Sequence, residues 1–261
     1  MTFEKSELIS IHGEEWIENQ RVAGKVVAKS LLMLKEMVEQ KSTLSLLEMS
    51  KEIETFILSQ DCSATFKGYQ GFPEAVCISV NKQVVHGVPT DATLQEGDVV
   101  SFDLGATYNE AIADSALTCI YGEPKDPAHS ELVEATDVAL AAGISAVKPG
   151  NRIGAIGFAI NNSLKNQGFG LITKYGGHGI SYHVHSDPFV SNTGLPSQGS
   201  RIYSGMSLAI EPMLVMGGVT TFVDPKDKWT VHAEGISAHF EHTLFVHEDK
   251  IEIMTDRNLS P

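Results

Sequence analysis

Basic residues are scarce in this chain. Its 261 residues carry 19 Lys and Arg against 33 Asp and Glu, a formal net charge of −14. A surface of that sign repels a phosphate backbone, which argues against a nucleic-acid partner. Cysteine is scarce too. Cys62, Cys77 and Cys119 make an odd number at irregular spacing, which gives no disulfide framework and fits a reducing cytoplasm. No Cys-x-x-Cys pair occurs, so a thiolate zinc finger is not expected. Long hydrophobic runs are missing. No stretch of about 18 apolar residues is present, so no segment is expected to span a membrane. The opening run Met1 to Glu7 is polar and acidic and lacks the apolar core of a signal peptide. No low-complexity linker divides the chain. One domain over 1–261 is expected, led by a short segment at about 1–13.

What is present is an ordinary globular composition, 42% hydrophobic and 20% charged. Helical spacing runs from Glu14 to Gln40 through Trp16, Ile17, Val22, Val26, Val27, Leu31, Leu34 and Val38. Thr43 is the expected N-cap of a second helix carrying Leu44, Leu47, Ile53, Phe56 and Ile57. After the Gly68-Tyr-Gln-Gly-Phe-Pro73 loop come strand-like runs at Ala75 to Val80, Asp98 to Leu104 and Ala111 to Tyr121. The pattern then restarts. Pro127 to Val147 reads as a helix on Leu132, Ala135, Val138, Ala139 and Ala142, and Arg152 to Gln167 reads as another. Strand-like runs return at Met206 to Met216, Val219 to Val223, Trp229 to His232 and Ser237 to His247. Val38, Leu44, Leu47 and Met49 match Val147, Ile153, Ile156 and Phe158 at a constant offset of 109 (147 minus 38). The expectation is an α+β fold of two similar helix–helix–strand halves with a site where they meet.

Within those strands a few charged residues stand out. Asp103 lies in Val-Val-Ser-Phe-Asp-Leu-Gly and Asp114 in Glu-Ala-Ile-Ala-Asp-Ser-Ala, where a carboxylate is either exposed or destabilising. A turn at Gly105 to Asn109 would pair the two runs and bring the aspartates together. A shared metal would supply the counter-charge. The bland alternative is a solvated aspartate on an edge strand. His178 lies in Gly-Gly-His-Gly, Glu211 in Leu-Ala-Ile-Glu-Pro-Met, and Glu241 in Ala-His-Phe-Glu-His-Thr-Leu. Singly, these fit a glycine turn, a strand end and a polar sheet face. Together, four carboxylates and one imidazole form a hard donor set suited to a pair of divalent ions such as Mn, Co or Fe(II). Such ions sit about 3.5–4 Å apart and share a water.

The motifs carry a resemblance. Gly-Tyr-Gln-Gly-Phe-Pro, Val-Cys-Ile-Ser-Val-Asn, His86-Gly-Val-Pro89, Asp103 with Asp114 eleven residues on, Gly-Gly-His178-Gly-Ile, His185 before Pro188, Ile-Glu211-Pro, Lys-Trp229-Thr and Glu241-His-Thr occur in order. From Arg21 to about Val246 the chain resembles the type I methionine aminopeptidases of the pita-bread fold, two pseudo-symmetric halves around a curved antiparallel sheet. The resemblance implies a dinuclear metallohydrolase that removes the initiator methionine from peptides and nascent proteins, with a preference for a small second residue. It implies that Asp103, Asp114, His178, Glu211 and Glu241 hold two divalent ions (Co, Mn, Fe or Zn). It also implies that Glu211 shuttles the proton, that His185 polarises the scissile carbonyl, and that His86 contacts the nitrogen of the cleaved bond. Phe66, Tyr69, Phe72, Cys77, Val184 and Trp229 would form the methionine pocket, and Ser237 would help hold an auxiliary monovalent cation. A cytoplasmic monomer in transient contact with the ribosome is implied, with peptide N-termini as its partners.

The chain departs from the family at Gln70, where histidine is common. It departs again at Ser181, at the extra His183, and from Asp227 to Ser237. None of these is a ligand position, so they bear on pocket shape and turnover. A zinc-binding N-terminal extension and the insertion of the type II enzymes are not expected. Two other readings stand beside this one. One is a proline-directed metallopeptidase, whose members usually carry an extra N-terminal domain. The other is a non-catalytic peptide-binding module of the same fold, which typically loses metal ligands. A phosphate loop is not supported, because Gly-Gly-His-Gly lacks the P-loop lysine and spacing.

Overall fold

The computed structural model describes residues 9–258. Residues 1–8 of the expected leading segment therefore lie outside the described residues. The first half runs α1 (Glu14–Glu39), α2 (Leu46–Ser59), β1 (Ser63–Ala64), β2 (Val76–Val80), β3 (Gln83–Val85), β4 (Val99–Tyr108) and β5 (Ala111–Ile120). The second runs α3 (Pro127–Ala146), α4 (Ile153–Ser163), β6 (Gly170–Leu171), β7 (Gly177–Gly179), β8 (Ser186–Val190), β9 (Ser207–Ile210) and β10 (Met213–Val215). It ends with β11 (Phe222–Val223), β12 (Val231–His232), β13 (Ser237–His239), β14 (His242–Val246) and β15 (Ile251–Ile253). The fold is thus α+β, and the strand pairing is antiparallel throughout the described residues. As expected, helix–helix–strands occurs twice. No described helix is long and apolar enough to cross a membrane.

The two halves share one apolar core. Leu31 and Leu34 of α1, Met49 and Ile53 of α2, Leu132 and Leu140 of α3, and Ile156 and Ile160 of α4 pack in a single cluster with strand residues. The internal repeat is real in the fold, but its register differs from the one the apolar residues suggest. The helices α2 and α4 begin at Leu46 and Ile153, an offset of 107 (153 minus 46). At that offset Leu46, Met49 and Ile53 match Ile153, Ile156 and Ile160, all buried. The offset of 109 fails because it pairs buried Met49 with Phe158, which is 43% exposed. Val138 also leaves the expected stripe of α3, at 50% exposure.

The cap of α2 lies two residues past the expected Thr43. Ser45 caps it, accepting from the Glu48 N–H, and the Glu48 carboxylate accepts from the Ser45 N–H at 2.8 Å, a capping box. The next two N–H groups, of Leu46 and Leu47, donate at 2.9 Å to the carbonyls of Ala92 and Thr90. A loop from the strand region therefore fixes where the helix begins. The β4–β5 turn is also displaced from Gly105–Asn109. Pairing continues to Tyr108 opposite Ala111, and the chain reverses through Asn109 and Glu110 alone. Both have positive φ, 44° and 68°, as a two-residue type I′ turn requires.

The cap position is testable by urea unfolding. Ser45→Ala should lower stability by about 1 kcal/mol, the usual cost of losing an N-cap hydroxyl, whereas Thr43→Ala should change it far less.

Candidate metal centre

The long β4–β5 hairpin supplies the first two carboxylates. Asp103 pairs with Ala116 and Gly105 with Asp114. The aspartates are therefore diagonal neighbours on one face of adjacent strands. Both side chains are buried, Asp114 to 1% exposure. His178 comes from β7, between two glycines. A Cβ at Gly177 would lie 2.1 Å from the Ala209 carbonyl oxygen, and one at Gly179 would lie 2.1 Å from that of Asp187. The glycines let neighbouring backbones close on both sides of this short strand and so fix the imidazole between them.

Glu211 and Glu241 sit at matching breaks. The expected runs Met206 to Met216 and Ser237 to His247 are each interrupted. Pairing of β9 with β14 ends at Ile210 opposite His242, and pairing of β10 with β13 begins at Met213 opposite His239. Glu211-Pro212 and Phe240-Glu241 lie in the gap. Proline has no N–H to continue the ladder, so the double strand breaks there and releases both glutamates from the pleat.

Hydrogen bonds from the first half hold this break against β5. The Glu241 N–H donates to the Ala116 carbonyl at 2.9 Å. The Ser115 hydroxyl and the Arg257 guanidinium both donate to the Glu241 carbonyl. Thr243 Oγ1 donates to the Asp114 carbonyl at 2.7 Å and accepts from its N–H at 3.0 Å. The site therefore lies on the seam between the halves.

All five expected ligands line one cavity of about 510 Å³. Donor atoms of Asp114, His178 and Glu241 lie within 4.8 Å of one another. His178 Nε2 is 3.6 Å from both Asp114 Oδ2 and Glu211 Oε1. Burial raises every carboxyl here, and neighbouring carboxylates add to it at Asp103, Glu211 and Glu241. Asp103 is pushed up to about 8 and Glu211 to about 7, with Asp114 and Glu241 also raised. Asp103 Oδ1 is buried with no hydrogen-bond partner. Converging oxygen donors, one imidazole and an orphaned carboxylate oxygen fit divalent cations.

The other expected residues surround this cluster. His185 reaches the cavity from the loop before β8, its ring edge-on to His178 with centroids 4.6 Å apart. The Tyr69 hydroxyl lies 3.1 Å from His185 Nδ1, and Gln70 Nε2 donates to the same hydroxyl at 3.2 Å. His86 follows β3 with a φ of 57°. This left-handed conformation is uncommon outside glycine. Burial lowers the pKa of both histidines, His86 to about 4. Phe66, Tyr69, Phe72, Cys77 and Trp229 line the cavity, and Phe72 meets Trp229 edge-to-face at 5.4 Å. Cys77 pairs with Asp103 across β2 and β4, and burial raises its thiol far above the ordinary range. Val184 is not among the lining residues. It is buried behind them, in the cluster that Phe66 and Tyr69 pack against.

Ser181 is buried outside the lining but bonds Ser186, which is part of it, at 2.8 Å, and His183 is exposed. The Ser237 hydroxyl donates to the carbonyls of Asn81 and Gln83 at 3.1 and 2.9 Å. Sequence reasoning missed Tyr175 and Met213 in the lining, and His239 beside Glu211. The signal for His239 was available. In an extended run it shares a face with Glu241.

Residues 18–248 match metallopeptidase family M24. The chain is 42% identical over 250 residues to a methionine aminopeptidase of Mycoplasma capricolum, covering 95% of this chain and 98% of that one. It is 38% identical to methionine aminopeptidase 1 of Bacillus subtilis, covering 90% and 94%. The crystal structure of a methionine aminopeptidase from Thermotoga maritima superposes with a TM-score of 0.89 at 36% identity, covering 95% of this chain and all of that one.

Asp103→Asn and Glu241→Gln should each lose most bound divalent metal by elemental analysis, with an unchanged far-UV circular dichroism spectrum. Full metal content in both variants would remove these carboxylates from the site.

Proposed function

The chain belongs to metallopeptidase family M24, and within it to the methionine aminopeptidases. From that premise we infer that it is a metalloaminopeptidase that hydrolyses the peptide bond after an N-terminal methionine. The observation that carries this reading is the meeting of five hard-metal ligand candidates and an aromatic wall in one cavity.

Asp103, Asp114, His178, Glu211 and Glu241 would hold two divalent cations, drawn from Co, Mn, Fe and Zn. Cations held there would supply an acidified water as nucleophile near neutral pH and Lewis-acid polarisation of the carbonyl. Four carboxylates against one imidazole support two dications rather than one, because a single ion would leave net negative charge buried. Glu211 takes up the nucleophile's proton on a carboxylate oxygen and returns it to the departing amine.

His185 acts on the carbonyl oxygen. With the Tyr69 hydroxyl donating to Nδ1, the proton of the neutral ring sits on Nε2, where it can stabilise negative charge developing on that oxygen. His86 contacts the nitrogen of the scissile bond. Its left-handed backbone turns the ring into the cavity at the end of β3. Phe66, Tyr69, Phe72, Cys77 and Trp229 receive the methionine side chain, and aromatic edges around a thioether are favourable contacts. The carbonyls gathered around Ser237 support the monovalent cation.

We further read the chain as one catalytic domain acting on the initiator methionine of nascent proteins, with a small second residue preferred. The three free cysteines support a cytoplasmic location. Transient ribosome contact and a monomeric state belong to the same reading. The full ligand set and the match along nearly whole methionine aminopeptidases leave the proline-directed and non-catalytic readings without support.

Demetallated protein titrated with Mn, Co or Fe(II) should release methionine from Met-Gly peptides, little from Met-Lys peptides, and nothing from Xaa-Pro peptides. His185→Ala should lower kcat by about 10²–10³, the usual cost of an oxyanion donor, while keeping its metal. Tyr69→Phe should lower kcat less. Loss of metal in His185→Ala would make His185 a ligand, and cleavage of Xaa-Pro alone would overturn the specificity.

A further inference from the structure

His239 has no part in the roles above, yet it lies inside the same cluster. It ends β13, two residues before Glu241, and is 1% exposed. Its backbone is fixed by β5: the N–H donates to Thr118 Oγ1 at 2.9 Å, and the same hydroxyl donates to its carbonyl at 2.8 Å. The ring is the part left free. Neither ring nitrogen has a hydrogen-bond partner. A buried imidazole with both nitrogens unpaired is unfavourable where a leucine or phenylalanine could fill the space. Such a group calls for a function.

The geometry identifies one. His239 Nε2 lies 3.5 Å from Glu211 Oε2, while His178 Nε2 lies 3.6 Å from Glu211 Oε1. Two imidazoles therefore flank the two oxygens of a single carboxylate, one from the strand on each side of the β9–β10 segment that carries Glu211. The carboxylate oxygen nearest the His239 ring is Glu211 Oε2, so the contact that its position offers is with Glu211.

We propose that His239 is a positioning residue of the metal centre, whose neutral imidazole directs its Nε2–H at Glu211 Oε2 and holds that carboxylate in the orientation that accepts a cation. The inference rests on the reading that this cluster binds divalent metal. Freed of this contact, Glu211 would rotate about its side-chain bonds and lose the pre-organisation that second-partner hydrogen bonds give a ligand.

The test is the Mn(II) dissociation constant of the full-length demetallated protein, measured by competition with a fluorescent chelator. His239→Leu fills the space without a donor, and His239→Gln keeps an N–H donor at similar reach. The Leu variant should bind Mn(II) about 10–100-fold more weakly and the Gln variant within about threefold of wild type, since loss of a ligand's hydrogen-bond partner has effects of that size. If His239→Leu does not fold by circular dichroism, His239→Phe takes its place. Unchanged affinity in the donor-free variant overturns the proposal. So does an equal loss in His239→Gln, which would make the imidazole itself a ligand. Failure of the wild type to bind Mn(II) at all would instead overturn the underlying reading of the site.

Discussion

Carboxylates that share a buried site repel one another, and burial alone already disfavours their charged forms. Asp103, Asp114, Glu211 and Glu241 meet under this constraint, and burial heads the causes that raise each of them. The few cationic partners nearby do not balance them. The Arg257 guanidinium reaches the Glu241 carbonyl rather than its carboxylate, and the imidazoles of His178 and His239 stand beyond ordinary hydrogen-bond length. Divalent cations resolve the conflict, since their charge is the one large term that favours ionised carboxylates in such a place.

The fold is arranged to keep these groups together in spite of their repulsion. β4 and β5 hold two aspartates at a fixed diagonal on a rigid hairpin. The ladder of β9–β10 with β13–β14 breaks at Glu211-Pro212 and Phe240-Glu241, which turns two glutamates out of the pleat toward them. Hydroxyls of Ser115, Thr118 and Thr243 stitch the broken ladder to β5. The groups proposed to act on substrate come instead from less regular segments. His86 follows β3, His185 precedes β8, and Tyr69 lies in a short 3₁₀ turn. The ligand candidates thus sit on or beside strands, and the side chains proposed to face substrate on loops that the strands support.

Much of this was legible from residue order. Charged residues inside apolar, strand-forming runs are costly unless they have a purpose, which draws attention to Asp103, Asp114 and Glu211; each alone has a bland alternative, and only the set with His178 and Glu241, with the motifs around it, points to metal. The α+β class and the twofold repeat followed from periodicity. The repeat's register did not, because apolar residues in two amphipathic helices agree at several offsets. The cap at Ser45 and the start of α4 at Ile153 decide in favour of the shorter one. Thr43 and Ser45 are both good caps, and only the carbonyls of Thr90 and Ala92, distant in sequence, choose between them. His239 shares a face with Glu241 in an extended run, but as one of ten histidines it carries little signal of its own. The orphaned state of its ring is a tertiary fact with no local signal.

The carboxylate cluster is therefore a burden on the fold until cations occupy it. Urea unfolding of rigorously demetallated protein, wild type against Asp103→Asn, puts this to the test. At neutral pH Asp103→Asn should unfold at a higher midpoint, because burial pushes the Asp103 carboxyl up to about 8 and makes it give up its charge on folding, whereas an amide of nearly the same shape is neutral in both states. A lower midpoint for that variant in the absence of metal would show that Asp103 stabilises the empty fold, and would contradict the account.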